Sequence, residues 1–169
     1  ASLQTIIGKR DKSALWLLLA IFAWFVGYNA VSKFFTLYGV IALKMEASQA
    51  SFLLTFLALM FVLFAVPSGY IAAKFGRKRT ILVGIALLGL LMAVIRVLPP
   101  QMQTSGILLP LLLALAGIGW ALININSLPM VVDIAPQTEL ATYTGLYYFA
   151  STSAAVLGPF LAGLLIDAL

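Results

Sequence analysis

The chain has 169 residues, 63% of them hydrophobic and only 9% charged, with 10 Lys and Arg against 5 Asp and Glu for a formal net charge of +5. Soluble globular domains carry about a quarter of their residues charged, so this composition describes an integral membrane protein; its basic excess, clustered between apolar runs, speaks for membrane orientation and against nucleic-acid binding. With no Cys and no His there is no disulfide, no thiol chemistry and no common transition-metal ligand set, so neither a cofactor nor a metal is expected.

Residues 1–12 carry Lys9, Arg10 and Lys12 and read as a cytoplasmic N-terminal segment. A signal peptide shows the same charge order, but the apolar run from Ala14 is too long for one and lacks a small-x-small cleavage site, so it reads as a retained span. Five apolar runs follow one another, at about 13–40, 48–74, 79–98, 106–132 and 140–165. Each is long enough to cross a bilayer, which needs roughly 20 apolar residues. In hydrocarbon every peptide group must be paired within its own segment, and no alternating barrel pattern is present, so the fold class is an all-α polytopic membrane helix bundle. The connections at 43–47, the basic turn at 69–79, 99–105 and 133–139 are short, which makes neighbouring helices antiparallel.

Between the second and third runs the chain reads Gly69-Tyr-Ile-Ala-Ala-Lys74-Phe-Gly76-Arg77-Lys78-Arg79. Lys and Arg accumulate on cytoplasmic loops, so this turn is placed on the same side as the N-terminus, an arrangement that fits a plasma or inner membrane. Outer connections hold only Lys44, with Arg96 near an outer helix end, while the third inner connection carries Asp133 and Glu139 and no cation. Acids weigh little in the orientation rule.

Polar residues inside spans are costly unless they face protein or water, so their distribution marks the helices that line a pathway. The third span is bare and reads as facing lipid. In the first span Asn29, Lys33 and Thr36 fall at i, i+4 and i+7 on one stripe. Lys33 has two readings: it meets an acidic substrate or a carboxylate from a partner half, or it snorkels to the outer interface, about 30 Å along the helix from Lys12. In the fourth span Trp120, Asn124 and Ser127 share a face; amides and an indole suit a hydroxyl-rich ligand such as a sugar, and the same groups serve equally as glue between helices. In the fifth, Tyr143, Tyr147 and Ser151 form one stripe, with Tyr143 at the level of an interfacial aromatic belt and Tyr147 deeper. Gly158-Pro159, with Ala154, Ala155, Ala162 and Gly163, is a small-residue packing surface where a kink is expected. No His, Cys or paired intramembrane acid is available for catalysis, so the chain is not read as an enzyme.

The basic turn resembles the signature loop between the second and third helices of each six-helix half in the major facilitator superfamily, Gly-x-x-x-Asp-Arg/Lys-x-Gly-Arg/Lys-x-Arg/Lys. Gly69, Lys74, Gly76, Arg77, Lys78 and Arg79 match, and Ala73 stands where the family usually has Asp. That acid is better kept in the first half, so the resemblance implies a C-terminal half, residues 13–169, lacking its last helix and completed by the missing half or by a second copy. The stretch Trp120-Ala-Leu-Ile-Asn-Ile-Asn-Ser-Leu-Pro-Met-Val-Val-Asp133 and the later Thr142-Tyr-Thr-Gly-Leu-Tyr-Tyr148 resemble the sugar-transporter-like branch. What the resemblance implies is a secondary transporter, a symporter included, that moves a small molecule by alternating access. Spans one and four would line the cavity, and the basic turn would latch onto Asp133 at the inner end of span four; the competing view is that the basic loop only fixes topology. No acid within the spans is available to couple protons or sodium, and this chain alone is expected not to transport. The remaining alternatives are a drug or lipid exporter half and a non-transporting assembly subunit with a transporter-like fold.

Overall fold

The computed structural model describes residues 12–168, so Lys9 and Arg10 of the expected cytoplasmic segment lie outside the described residues. Among the described residues there are five long helices: α1 (Ser13–Ile41), α2 (Ala47–Phe75), α3 (Arg77–Val97), α5 (Leu108–Ile134) and α6 (Leu140–Ala168). A short helix α4 (Pro100–Gln103) follows α3, a 3-10 turn (Gln137–Glu139) precedes α6, and no strand occurs among the described residues. All five long helices have the length and apolarity to cross a membrane. The expected spans therefore hold to within a few residues. The 29 residues of α1, α2 and α6 each correspond to about 44 Å, longer than a hydrocarbon core of about 30 Å, so these helices project beyond it or tilt.

The basic turn is tighter than a loop: Gly76 alone separates α2 from α3. Its φ of +92° is backbone that side-chain-bearing residues rarely adopt, and its amide closes α2 on the Ala72 carbonyl. Its own carbonyl receives both the amide of Thr80, at 3.1 Å, and the Thr80 hydroxyl, at 3.0 Å. One residue thus ends one helix and starts the next. The short connection at 99–105 contains α4. Pro100 sits at the first helical position, where the missing amide hydrogen costs nothing.

The described residues form two compact units, 12–33 with 128–168, and 34–127. In the second, α2, α3 and the greater part of α5 pack through small residues. A Cβ placed on Gly84 of α3 would lie 2.6 Å from the Gly119 carbonyl oxygen of α5, and one on Gly117 would strike the Leu57 carbonyl of α2. Backbones approach this closely in membrane interfaces because lipid supplies no hydrophobic drive, leaving van der Waals fit to hold helices together. Around these contacts Phe35, Leu43, Leu53, Leu109 and Leu113 form one buried cluster, and Leu91, Leu112 and Ala116 another. The helix read as bare and lipid-facing, α3, buries Thr80, Ile81, Gly84 and Leu91 on one side and leaves Leu82, Val83, Ile85 and Leu90 exposed.

In the first unit, α1 and α6 meet where Gly158 faces Val26, whose carbonyl oxygen would lie 2.7 Å from a Cβ at 158. Ala14, Leu17, Leu18, Ile21, Val131, Tyr143 and Tyr147 form its buried cluster. The small-residue surface expected around Gly158-Pro159 is used for packing, and α6 runs unbroken through Pro159. Elsewhere large apolar side chains stand exposed on every long helix, Trp16, Val66, Val83, Leu111 and Phe160 among them. In water such a surface would aggregate; in a bilayer it is the expected exterior.

Candidate functional site

On α1, Asn29 is half-buried and donates its amide to the Phe25 carbonyl at 2.8 Å, one turn back. Lys33 is exposed, and Thr36 shares a 3.4 Å hydroxyl contact with Ser51 of α2. On α6, Tyr147 is buried, its ring edge-on to Phe25 at 6.3 Å and to Tyr148 at 5.3 Å, while Ser151 is half-buried and donates to the Tyr148 carbonyl at 3.2 Å. The α1 and α6 stripes lie at different depths. From the Val26–Gly158 contact, Lys33 lies seven residues further along α1 and Ser151 seven residues back along α6, an axial offset of about 10 Å each way.

On α5 the three residues of the stripe separate by accessibility. Trp120 and Ser127 are buried, and Ser127 is tied to the Ile123 carbonyl at 2.6 Å. Asn124 is half-buried. The neighbouring Asn126 has no exposed surface; its amide nitrogen reaches the Leu122 carbonyl at 3.0 Å and the Ser68 carbonyl of α2 at 3.5 Å, while its side-chain oxygen is buried with no partner among the described residues. Ser127 thus spends its hydroxyl within α5, and the long Asn126–Ser68 bond is the one of these that joins α5 to a neighbouring helix. These bonds leave Asn124 as the accessible amide of the helix.

Within the basic turn, Gly69 and Arg77 are half-buried, and Lys74, Gly76, Lys78 and Arg79 are exposed. The Lys74 ammonium stands 5.3 Å from the centroid of the neighbouring Phe75 ring. Asp133 is exposed in the last turn of α5.

Three features escaped the sequence. The Trp24 indole nitrogen is buried without a hydrogen-bond partner among the described residues, in a run that read as purely apolar. Phe25 is the aromatic partner of Tyr147. Gln103, in what read as an ordinary loop, is 2% exposed and fully engaged: its oxygen accepts from the Tyr38 hydroxyl at 2.8 Å, and its nitrogen donates to the carbonyls of Ile95 at 3.0 Å and Leu98 at 2.8 Å. One signal for it was legible. Pro99 and Pro100 have no amide hydrogens for the carbonyls four residues earlier, Ile95 and Arg96, so a side-chain donor was needed nearby.

Five long apolar helices, a single-glycine basic turn and polar groups concentrated on α1, α5 and α6 define a polytopic helical membrane protein. Across residues 3–159 the chain matches the Major Facilitator Superfamily. It belongs to that family of membrane transporters. No curated protein and no solved structure matches it.

Proposed function

We propose that the chain forms part of the C-terminal half of a secondary transporter that moves a small hydroxylated solute, a sugar or a close relative, by alternating access. The observation that carries this reading is the placement of accessible polar groups, Asn29 and Lys33 on α1, Asn124 on α5 and Ser151 on α6, in predominantly apolar membrane helices. Asn29 and Asn124 each offer donor and acceptor capacity toward hydroxyls, and Tyr147 on α6 and Trp120 on α5 are buried aromatic side chains of their own units. The departure from Asp at Ala73 and the stretch at 120–133 support the C-terminal, sugar-transporter-like assignment. The N-terminus and the basic turn face the cytoplasm in this reading, and Arg77 and Asp133 act in gating the inner side. The role is transport, with no bond chemistry.

A ligand-dependent thermal-shift screen on the intact protein tests the proposal, beginning with disaccharides and amphipathic cations. Stabilisation by disaccharides that is reduced in Asn124→Ala supports it. Stabilisation by amphipathic cations alone replaces it with a drug or lipid exporter, and stoichiometric co-purification with another complex without any ligand response replaces it with an assembly subunit.

A further inference from the structure

Lys33 is the only Lys, Arg, Asp or Glu more than a turn from either end of the five long helices; Lys74, Arg77, Lys78, Arg79, Arg96, Asp133 and Asp167 all sit within three residues of a helix end. It is exposed, and it makes no hydrogen bond or ion pair among the described residues. Because α1 is about 44 Å long against a hydrocarbon core of about 30 Å, a charge about 12 Å from its end lies toward the outer edge of that core, where it is retained when it meets water or a counter-charge.

The direction of the side chain separates these two environments from simple escape to the interface. The nearer end of α1 is its C-terminus, Ile41, eight residues or about 12 Å away. Side chains on a helix lean toward its N-terminus, so the Lys33 stem sets out toward the middle of the span, away from the nearer interface. The neighbours on its stripe point the same way. Asn29 one turn before and Thr36 one turn after are polar, while Leu37, also one turn after, is exposed and apolar; the polar side of this stretch therefore runs along Asn29, Lys33 and Thr36, the side that suits an aqueous path.

We infer that Lys33 is an anion-binding group in the aqueous path, and that the transported solute carries a carboxylate or another anionic oxygen group beside its hydroxyls. This rests on the transporter reading above and narrows it from neutral sugars to acidic hydroxylated solutes. Asn29, whose amide nitrogen is engaged by Phe25, holds the turn beneath the ammonium in shape.

The test uses the intact transporter with any cysteine outside this chain removed, since this chain has none. Asn29→Cys and, as a second site should that variant fold poorly, Thr36→Cys are reconstituted in phosphatidylcholine vesicles. Their thiols are modified with a negatively charged sulfonate and a positively charged trimethylammonium methanethiosulfonate reagent, the sulfonate itself serving as the anionic probe. The expected result is reaction at both sites with a sulfonate-to-ammonium rate ratio that falls about tenfold on Lys33→Gln and is retained in Lys33→Arg, as a unit charge one helical turn away requires. The ratio should persist when anionic phosphatidylglycerol is included. A ratio indifferent to residue 33 overturns the inference while leaving an aqueous path through α1 intact. Collapse of the ratio with phosphatidylglycerol assigns Lys33 to lipid phosphate and overturns it as well. Thiols inert to both reagents remove α1 from the path altogether, and the transporter reading of these residues falls with it.

Discussion

Replacing Gln103 with Leu removes the donor that α3 lacks at its end. The carbonyl of Ile95 would ordinarily receive the amide of residue 99, which is proline, and the Gln103 side chain supplies that bond at 3.0 Å, a second to Leu98 at 2.8 Å, and an acceptor for the Tyr38 hydroxyl at 2.8 Å. At 2% exposure the site admits little water to replace them. With a net contribution of about 1 kcal/mol per hydrogen bond, Gln103→Leu should cost about 3 kcal/mol. Tyr38→Phe deletes only one of the three bonds and should cost about 1 kcal/mol. The two effects share that bond, so Tyr38→Phe introduced into the Gln103→Leu background should cost almost nothing further, a coupling of about 1 kcal/mol. Reversible denaturation of the four proteins in detergent, followed by tryptophan fluorescence, measures the cycle. Equal cost of Tyr38→Phe in both backgrounds, or a Gln103→Leu protein as stable as the parent, would refute the claim that Gln103 completes the end of α3.

Gly117→Leu should prevent correct packing, because a Cβ there meets the backbone of Leu57 and Phe61, which cannot yield as a side chain would; a loss exceeding about 2 kcal/mol is expected, read as loss of monodisperse protein in detergent. Gly76→Ala should cost about 1 kcal/mol through backbone strain alone, since φ is +92° and no atom lies within 4 Å of the added carbon; an unchanged melting temperature would contradict it. Asp133→Asn and Arg77→Ala should each shift the resting conformation in cysteine-accessibility labelling of the intact transporter, and labelling patterns identical to the parent would leave the basic turn with a purely topological role.

The fold was legible because lipid imposes one rule on every span: about 20 apolar residues with all backbone bonds internal. That rule placed α1, α2, α3, α5 and α6 to within a few residues, and the run from Gly69 to Arg79 fixed the tightest turn. Side-chain partnership was less legible, for a physical reason. In a soluble helix the buried stripe is apolar and the outer face polar, so periodicity identifies the packed side; here both faces of α3 are apolar, and Leu91 is buried while Leu90 is exposed with nothing in residue type to separate them.

What does distinguish the packed face in such a protein is size and local hydrogen-bond need. Gly84, Gly117 and Gly158 each sit where a neighbouring backbone leaves no room for a Cβ, whereas Gly27 and Gly89 meet nothing within 4 Å, so glycine alone overcounts the contacts. The polar residues behave likewise. Ser127 spends its donor on a carbonyl of its own helix and Asn126 on its own helix and on Ser68 of α2, both buried, while Lys33, with no carbonyl to satisfy it, keeps its charge available. A serine or asparagine in a span can therefore be absorbed by the helix that bears it, but an ammonium within a span cannot. That asymmetry is why Lys33, ahead of the α5 stripe that first suggested a sugar site, is the residue proposed to set the chemistry of the transported solute.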